Sequence, residues 1–354
     1  MQHLIQELGQ LREGGEQTTT PILSTKARAG VNIAGAEFGN EFPGVYGLHY
    51  IYPSSDTLDY YQSKGRTLLR LPFHWERIQH SFFAPLDSDE LGRLKTVLRE
   101  SHERQLDIIL DVHNYGRFDF PTGEVHILGS SHVPYEAFAD LWTRLAQALK
   151  DEPAVWAYSL MNEPHDMQDE ARWPIAAQFA IDAIRAVDTE TTIVVAGDHW
   201  SSLRNWRLGT NENLHEKVCD PSDNLIFEAH CYFDFDNSGQ YAKSYEEEGG
   251  SPDGGVEYVR PFVEWCQEKG VRGFVGEYGI PDNDVRWLVT MDHFMAYLKQ
   301  NGISSTYWAG GPWWGNYPLA IEPVDARALS SMPGVEMGAI ADRPQMLIMR
   351  QYPG

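Results

Sequence analysis

From Gly30 onward the chain repeats one pattern eight times: a short apolar run, a polar loop, then a stretch with helical spacing. The apolar runs fall at 30–35, 67–73, 106–112, 155–161, 191–197, 224–229, 271–277 and 303–309. LDIILDV (106–112) is nearly all apolar, as a strand buried on both faces must be. Helices are expected at 57–65, 87–105, 134–150, 173–187, 201–217, 256–268, 287–300 and 342–350. In the third of these, Phe138, Leu141, Trp142, Leu145 and Leu149 return on one face. Sequential βα units with right-handed crossovers close into a (β/α)8 TIM barrel of the α/β class, here as a single domain. A doubly wound sheet is the competing arrangement, but no GxGxxG opens a first strand–helix turn. Residues 1–29 stand outside the pattern. Their GGEQTTTP stretch is linker-like, so 1–29 reads as an extension and 30–354 as the barrel.

Charge narrows the partners. The chain carries 28 basic and 51 acidic residues, a net charge of −23. Such a balance repels a phosphate backbone or an anionic membrane and suits a neutral substrate. The three cysteines, Cys219, Cys231 and Cys266, match no zinc spacing and imply no disulfide framework. No run approaches the ~20 apolar residues of a membrane span, and no signal peptide is visible.

In a barrel of this kind the C-terminal strand ends face the site. Those ends carry Arg70, His74 and Trp75; His113, Asn114 and Tyr115; Asn162 and Glu163; Asp198, His199 and Trp200; His230, Tyr232 and Asp234; Glu277 and Tyr278; and Trp308, with Trp313 and Trp314 behind it. Two glutamates stand out. VWAYSLMNEP (155–164) is an apolar strand that stops at Asn162, Glu163 and Pro164, and the proline predicts an extended Glu163. GFVGEYG (273–279) repeats the arrangement and ends its strand on Glu277. Paired carboxylates facing one cleft are what glycoside hydrolysis requires.

Read in order, LLRLPFHWERI, DVHNYGRF, MNEPHD, HCYFD, VGEYG and YWAGGPWWG resemble glycoside hydrolase family 5, the cellulase-type retaining endoglycanases, over about residues 30–352. GPWWGNYPLAIEP followed by DRPQM resembles the endo-β-1,4-glucanase branch. The resemblance implies a site of Arg70, His113, Asn162, Glu163, His230, Tyr232, Glu277 and Trp308. It also implies a β-glucan substrate, no cofactor, a monomer working outside the cytoplasm or in the periplasm, and a cis peptide at Trp308–Ala309.

On this reading Glu163 is the general acid/base and must carry a proton when the bond breaks. Asn162 binds the 2-hydroxyl of the attacked sugar. Glu277 is the nucleophile, held ionised by Arg70 and by the Tyr232 hydroxyl. His113 and His230 contact substrate hydroxyls and orient the glutamates, and Asn114 supports them. Trp308 is the sugar platform. Trp75, Tyr115, Trp200 and Trp314 are candidates for flanking subsites. Asp198 and His199 read as loop anchors, and Glu246–Glu248 as a solvated loop. Two other readings stand beside this one: a metal held by His113, His230 and Glu277, and a sugar-binding barrel without catalysis. Mannan, xylan, xyloglucan and mixed-linkage glucan remain alternatives to cellulose.

Overall fold

A computed structural model describes residues 27–169, 172–323 and 342–354; most of the expected 1–29 extension lies outside them. The strands, in chain order, are β1 (Ala29–Ile33), β2 (Leu68–Phe73), β3 (Asp107–Val112), β4 (Arg117–Asp119), β5 (Val125–Ile127), β6 (Val155–Ser159), β7 (Thr192–Ala196), β8 (Leu225–His230), β9 (Gly273–Glu277) and β10 (Ser304–Gly310). β1, β2, β3, β6, β7, β8, β9 and β10 pair in parallel in that order, and β10 closes on β1. This is the (β/α)8 barrel that the alternating pattern predicts. The β4–β5 hairpin, in the loop after β3, was not predicted.

Helices fill the crossovers because their apolar stripes meet the sheet. Tyr135–Leu149 buries Phe138, Leu141, Trp142, Leu145 and Leu149, the stripe read from spacing. Ser88–Glu103 starts where the Asp87 carboxylate accepts the Asp89 and Glu90 N–H groups, an N-cap that contributes ~1 kcal/mol. The helix expected at 201–217 is instead two single 3-10 turns, Leu203–Asn205 and Asn211–Asn213, and a short helix at Leu214–Lys217. Gly209 takes a φ of +57° inside this stretch, which breaks the helical path. No helix among the described residues is long and apolar enough to cross a membrane.

The barrel interior is layered by strand periodicity. Leu68, Ile109, Ala157, Val194, Ile226 and Phe274 form a separate apolar cluster inside the strands. Residues i and i+2 share a face of a strand. Two residues further along, the same strands therefore present Arg70, Asp111, Ser159, Ala196, Glu228 and Gly276, all buried. A charged layer thus sits directly on an apolar floor, at the end of the barrel where the polar strand ends converge.

Candidate active site

Arg70 is the hub of the charged layer and is fully buried. One guanidinium nitrogen donates to Asn32 Oδ1 at 2.9 Å and to Glu277 Oε1 at 3.2 Å. The other donates to Asn162 Oδ1 at 2.8 Å and lies 3.1 Å from Asp111 Oδ1. Its Nε is 3.1 Å from Glu228 Oε1. A planar fork of donors suits this ring of acceptors, and a point charge on a flexible stem would not.

Glu277 is held from the other side by the Tyr232 hydroxyl, which donates to Oε2 at 2.8 Å. The β8–β9 register slips between Ala229 and His230, which sets His230 beside Glu277. Burial pushes the Glu277 carboxyl above its ordinary range; His230 pulls it down, Glu163 pushes it up, and Arg70 and His113 pull it down again. The net direction is upward, as expected for two carboxyls sharing one buried site. Arg70 is thus one of several groups that act on its charge.

Glu163 leaves the barrel differently from what Pro164 suggests. β6 stops at Ser159, and Glu163 has a φ of +44° rather than an extended backbone. That conformation costs a non-glycine residue ~1–2 kcal/mol. It places Oε1 2.6 Å from His230 Nδ1. One ligand atom each of Glu163, His230 and Glu277 all lie within 4.8 Å of one another.

His230 has carboxylates at both ring nitrogens: Glu163 at Nδ1, and Glu228 at Nε2, 3.1 Å away. With the neighbouring oxygens accepting, both nitrogens donate and the ring is an imidazolium. Burial opposes that charge, but Glu277, the hydrogen bonds to Glu163 and Glu228, and the charge of Glu163 outweigh it and raise the group to about 10. Both ring nitrogens are thus engaged by carboxylates rather than open to an ion. The alternative metal set also loses His113, whose Nδ1 is 2.7 Å from Asp111 Oδ2 and whose Nε2 is 3.2 Å from Asn162 Nδ2.

Asn162 is thereby fixed at both ends of its amide, by Arg70 and by His113, with one N–H of Nδ2 left for a ligand. Trp308 stacks on His113 with ring centroids 5.5 Å apart and planes 13° apart, and the Trp308–Ala309 peptide is cis. Trp314 meets Trp308 edge-on and stacks on Tyr317 at 4.5 Å. The cleft beyond Glu163 has a volume of about 630 Å³ and is lined by Tyr115, Trp200, Arg204, His230, Tyr232 and Asn237 among others. Trp200 is 44% exposed there and stacks on His165 at 4.2 Å. A second cavity, about 510 Å³, lies at the opposite barrel end against Trp156 and Phe274, away from the acid pair.

Three expected positions differ. Asn114 does not face the acid pair: its Oδ1 accepts the Trp75 N–H and its Nδ2 donates to Glu76, which also accepts the Asp119 N–H of the hairpin. Trp75 is fully buried against Phe82, Phe118 and Phe138, because a short helix beginning there turns it away from the cleft. Glu248 is buried and accepts the Phe235 and Lys243 N–H groups, so the 246–248 run is not wholly solvated. Asp198 and Asp234 do organise loops; the Asp234 carboxylate alone accepts the N–H groups of Gly239, Gln240 and Tyr241. The sequence reading missed Asn32, Asp111, Glu228 and Tyr317. The signal for two of these was a lone acid inside an apolar strand, two residues before a histidine: Asp111–Val112–His113 and Glu228–Ala229–His230.

The sequence model of the cellulase family, glycosyl hydrolase family 5, matches residues 26–313. Endo-β-1,4-glucanase B of Aspergillus niger is 33% identical over 306 residues, covering 86% of this chain and 87% of its own. The Pseudomonas stutzeri endoglucanase Cel5A, solved in complex with cellobiose, is 43% identical with a TM-score of 0.82, covering 94% of this chain and 95% of its own. XacCel5A, solved with cellopentaose, is 34% identical with a TM-score of 0.82, over 92% of this chain and 98% of its own. A closed barrel with two glutamates at one mouth and a family match over most of its length identify the chain as a glycoside hydrolase that belongs to family 5.

Proposed function

We propose that this protein is a retaining endo-β-1,4-glucanase in which Glu277 is the nucleophile and Glu163 the acid/base. The observation that carries this reading is the spacing of the acid pair: carboxylate oxygens of Glu163 and Glu277 come within 4.8 Å. Retention needs carboxyl groups about 5–5.5 Å apart, whereas inversion needs about 6.5–9.5 Å to admit a water.

The surroundings divide the labour. Glu277 faces Arg70 and Tyr232 and is nearly closed off, with 5% side-chain exposure. Glu163, at 16%, opens on the larger cleft where a leaving group would lie. The proton required by the leaving oxygen is carried on the other carboxyl oxygen of Glu163, while Oε1 accepts from His230 Nδ1. As the glycosidic C–O bond breaks, Glu163 delivers that proton to the departing oxygen and Glu277 attacks the anomeric carbon. Glu163 then takes a proton from water, whose oxygen displaces Glu277 and releases the sugar. Trp308 supplies the flat face beneath the attacked ring, and the free Asn162 N–H reaches its 2-hydroxyl. Trp200 with His165, and Tyr115, provide flat surfaces on the leaving-group side; Trp314 and Tyr317 extend the other side.

The relatives' names favour β-1,4-glucan over mannan or xyloglucan as substrate. Proton NMR of the first-formed reducing end tests the mechanism: retention yields the β-anomer. An initial α-anomer would refute it. Glu277→Ala is expected to abolish turnover of soluble cellulose while retaining oligosaccharide binding. Glu163→Ala is expected to slow aryl cellobiosides with good leaving groups much less than it slows glucan. If Glu277→Ala bound cello-oligosaccharides but turned over at the native rate, the assignment of the nucleophile would fall. A barrel that bound them and released no reducing ends would be the non-catalytic alternative.

A further inference from the structure

We infer that Glu228, which touches no reacting atom, is a positioning residue that holds the two buried cations of the site in place and keeps His230 charged through the working pH range. The inference rests on the roles proposed for Glu163 and Glu277.

Glu228 is fully buried on β8. Its Oε1 lies 3.1 Å from Arg70 Nε and 3.1 Å from His230 Nε2, so one oxygen meets both cations. Its Oε2 accepts the Ser159 hydroxyl at 2.8 Å, which fixes the carboxyl plane from β6. The facing strand leaves room for it. A Cβ at Gly276 would sit 1.7 Å from Glu228 Oε1, so the residue next to the nucleophile lacks a side chain where the Glu228 carboxylate fills the space. Arg70 and His230 are the groups that contact Glu277 and Glu163, respectively, on the side away from Glu228.

The physical effect is a relay of charge. Burial alone would protonate Glu228, but Arg70, His230 and the Ser159 hydroxyl hold it at about 2. The groups facing His230 are Glu163 from the loop after β6, Glu228 from its own strand and Glu277 from β9, with Arg70 behind Glu228. Of the three carboxylates, only Glu228 keeps its charge constant through the proposed cycle, because Glu163 gains and loses a proton and Glu277 becomes an ester. Without Glu228, His230 would depend on partners whose charge vanishes during turnover.

The test is Glu228→Gln, with Glu228→Asp as the charge-conserving control. In Glu228→Gln the alkaline limb of kcat/KM against pH is expected to move down by about one pH unit or more, since an opposite charge at this distance is removed. Glu228→Asp is expected to lower kcat while leaving that limb in place. A role limited to packing would scale the rate equally at every pH; a Glu228→Gln profile of native shape would overturn the inference. Imidazole nitrogen NMR of the native protein provides a readout that needs neither a folded variant nor catalysis. Two protonated nitrogens on His230 from pH 5 to 8 support the inference, and a neutral ring in that range overturns it. Loss of activity in Glu277→Ala tests the nucleophile separately, so the two readings fail independently.

Discussion

Replacing Arg70 by lysine keeps the charge and the approximate length but removes the fork. Arg70 meets five acceptors within 3.2 Å: Asn32, Asn162, Glu277, Asp111 and Glu228. A lysine has three donors on one nitrogen, so at least two of these contacts are lost. Charge-assisted contacts of this kind contribute ~1.5–3 kcal/mol each, and the Arg70 side chain is fully buried. The expected loss is therefore about 3–6 kcal/mol of stability. At the low end of ~2–4 °C per kcal/mol for a large domain, Tm falls by on the order of 6–12 °C. Differential scanning calorimetry measures this directly. A second readout follows from charge placement. Arg70 pulls the Glu277 carboxyl down. With the cation displaced, that carboxyl rises further and ionises only at higher pH. The acid limb of kcat/KM should then shift toward neutral, and kcat at pH 5 should drop more than kcat at pH 7. A Tm within about 1 °C of native, together with an unmoved acid limb, would show that the guanidinium geometry is irrelevant and refute the reasoning.

Asn114→Ala should cost ~1–3 kcal/mol in urea unfolding, by removing the amide donor from Glu76 and leaving the Trp75 N–H unsatisfied, while the pH profile keeps its shape; a shifted profile would place Asn114 in the chemistry after all. Trp200→Ala should raise KM for cellopentaose about 5–10-fold, the ~1–1.5 kcal/mol of a lost aromatic contact, with little change on aryl cellobiosides, whose leaving group is short. Glu228, held at about 2 against 4.5 unfolded, contributes stability that is present above pH 4.5 and lost as pH falls toward 2, so thermal scans from pH 6 to 2 should show a steep decline below 4.5 that is weaker in Glu228→Gln. Chelation with EDTA should leave the rate unchanged, because both nitrogens of His230 are already taken up by contacts to Glu163 and Glu228.

The eight barrel strands were legible because strands buried on both faces must be apolar throughout, and the polar residues ending them marked the active face. Arg70, Asn162, Glu163, His230, Tyr232 and Glu277 do converge: His230 and Glu277 end their strands, Asn162, Glu163 and Tyr232 follow soon after theirs, and Arg70 reaches up from the layer beneath. The backbone of Glu163 was misread because local preference before Pro164 favours extension, whereas the bond to His230 demands a left-handed turn. Trp75 was misread because position along the chain does not reveal which way a side chain leaves a helix start. Asp111 and Glu228 were passed over because they stand below the strand ends, inside runs that look like core. Only the period of two, applied backward from His113 and His230, reveals that each acid faces inward beneath its histidine.

The apolar floor of Leu68, Ile109, Ala157, Val194, Ile226 and Phe274 governs traffic as well as stability. It closes the barrel below the acid pair, so solvent has no route to Glu277 from underneath. In the proposed double displacement, the water that frees the sugar must come through the cleft that the leaving group occupies, and only after that group has gone. Departure and hydrolysis share one doorway and must alternate. On that mechanism any hydroxyl compound that settles in the vacated cleft competes with water for the bound sugar, so the partition between hydrolysis and transfer to such an acceptor is expected to respond to the cleft lining, Trp200 and Tyr115, rather than to the two glutamates.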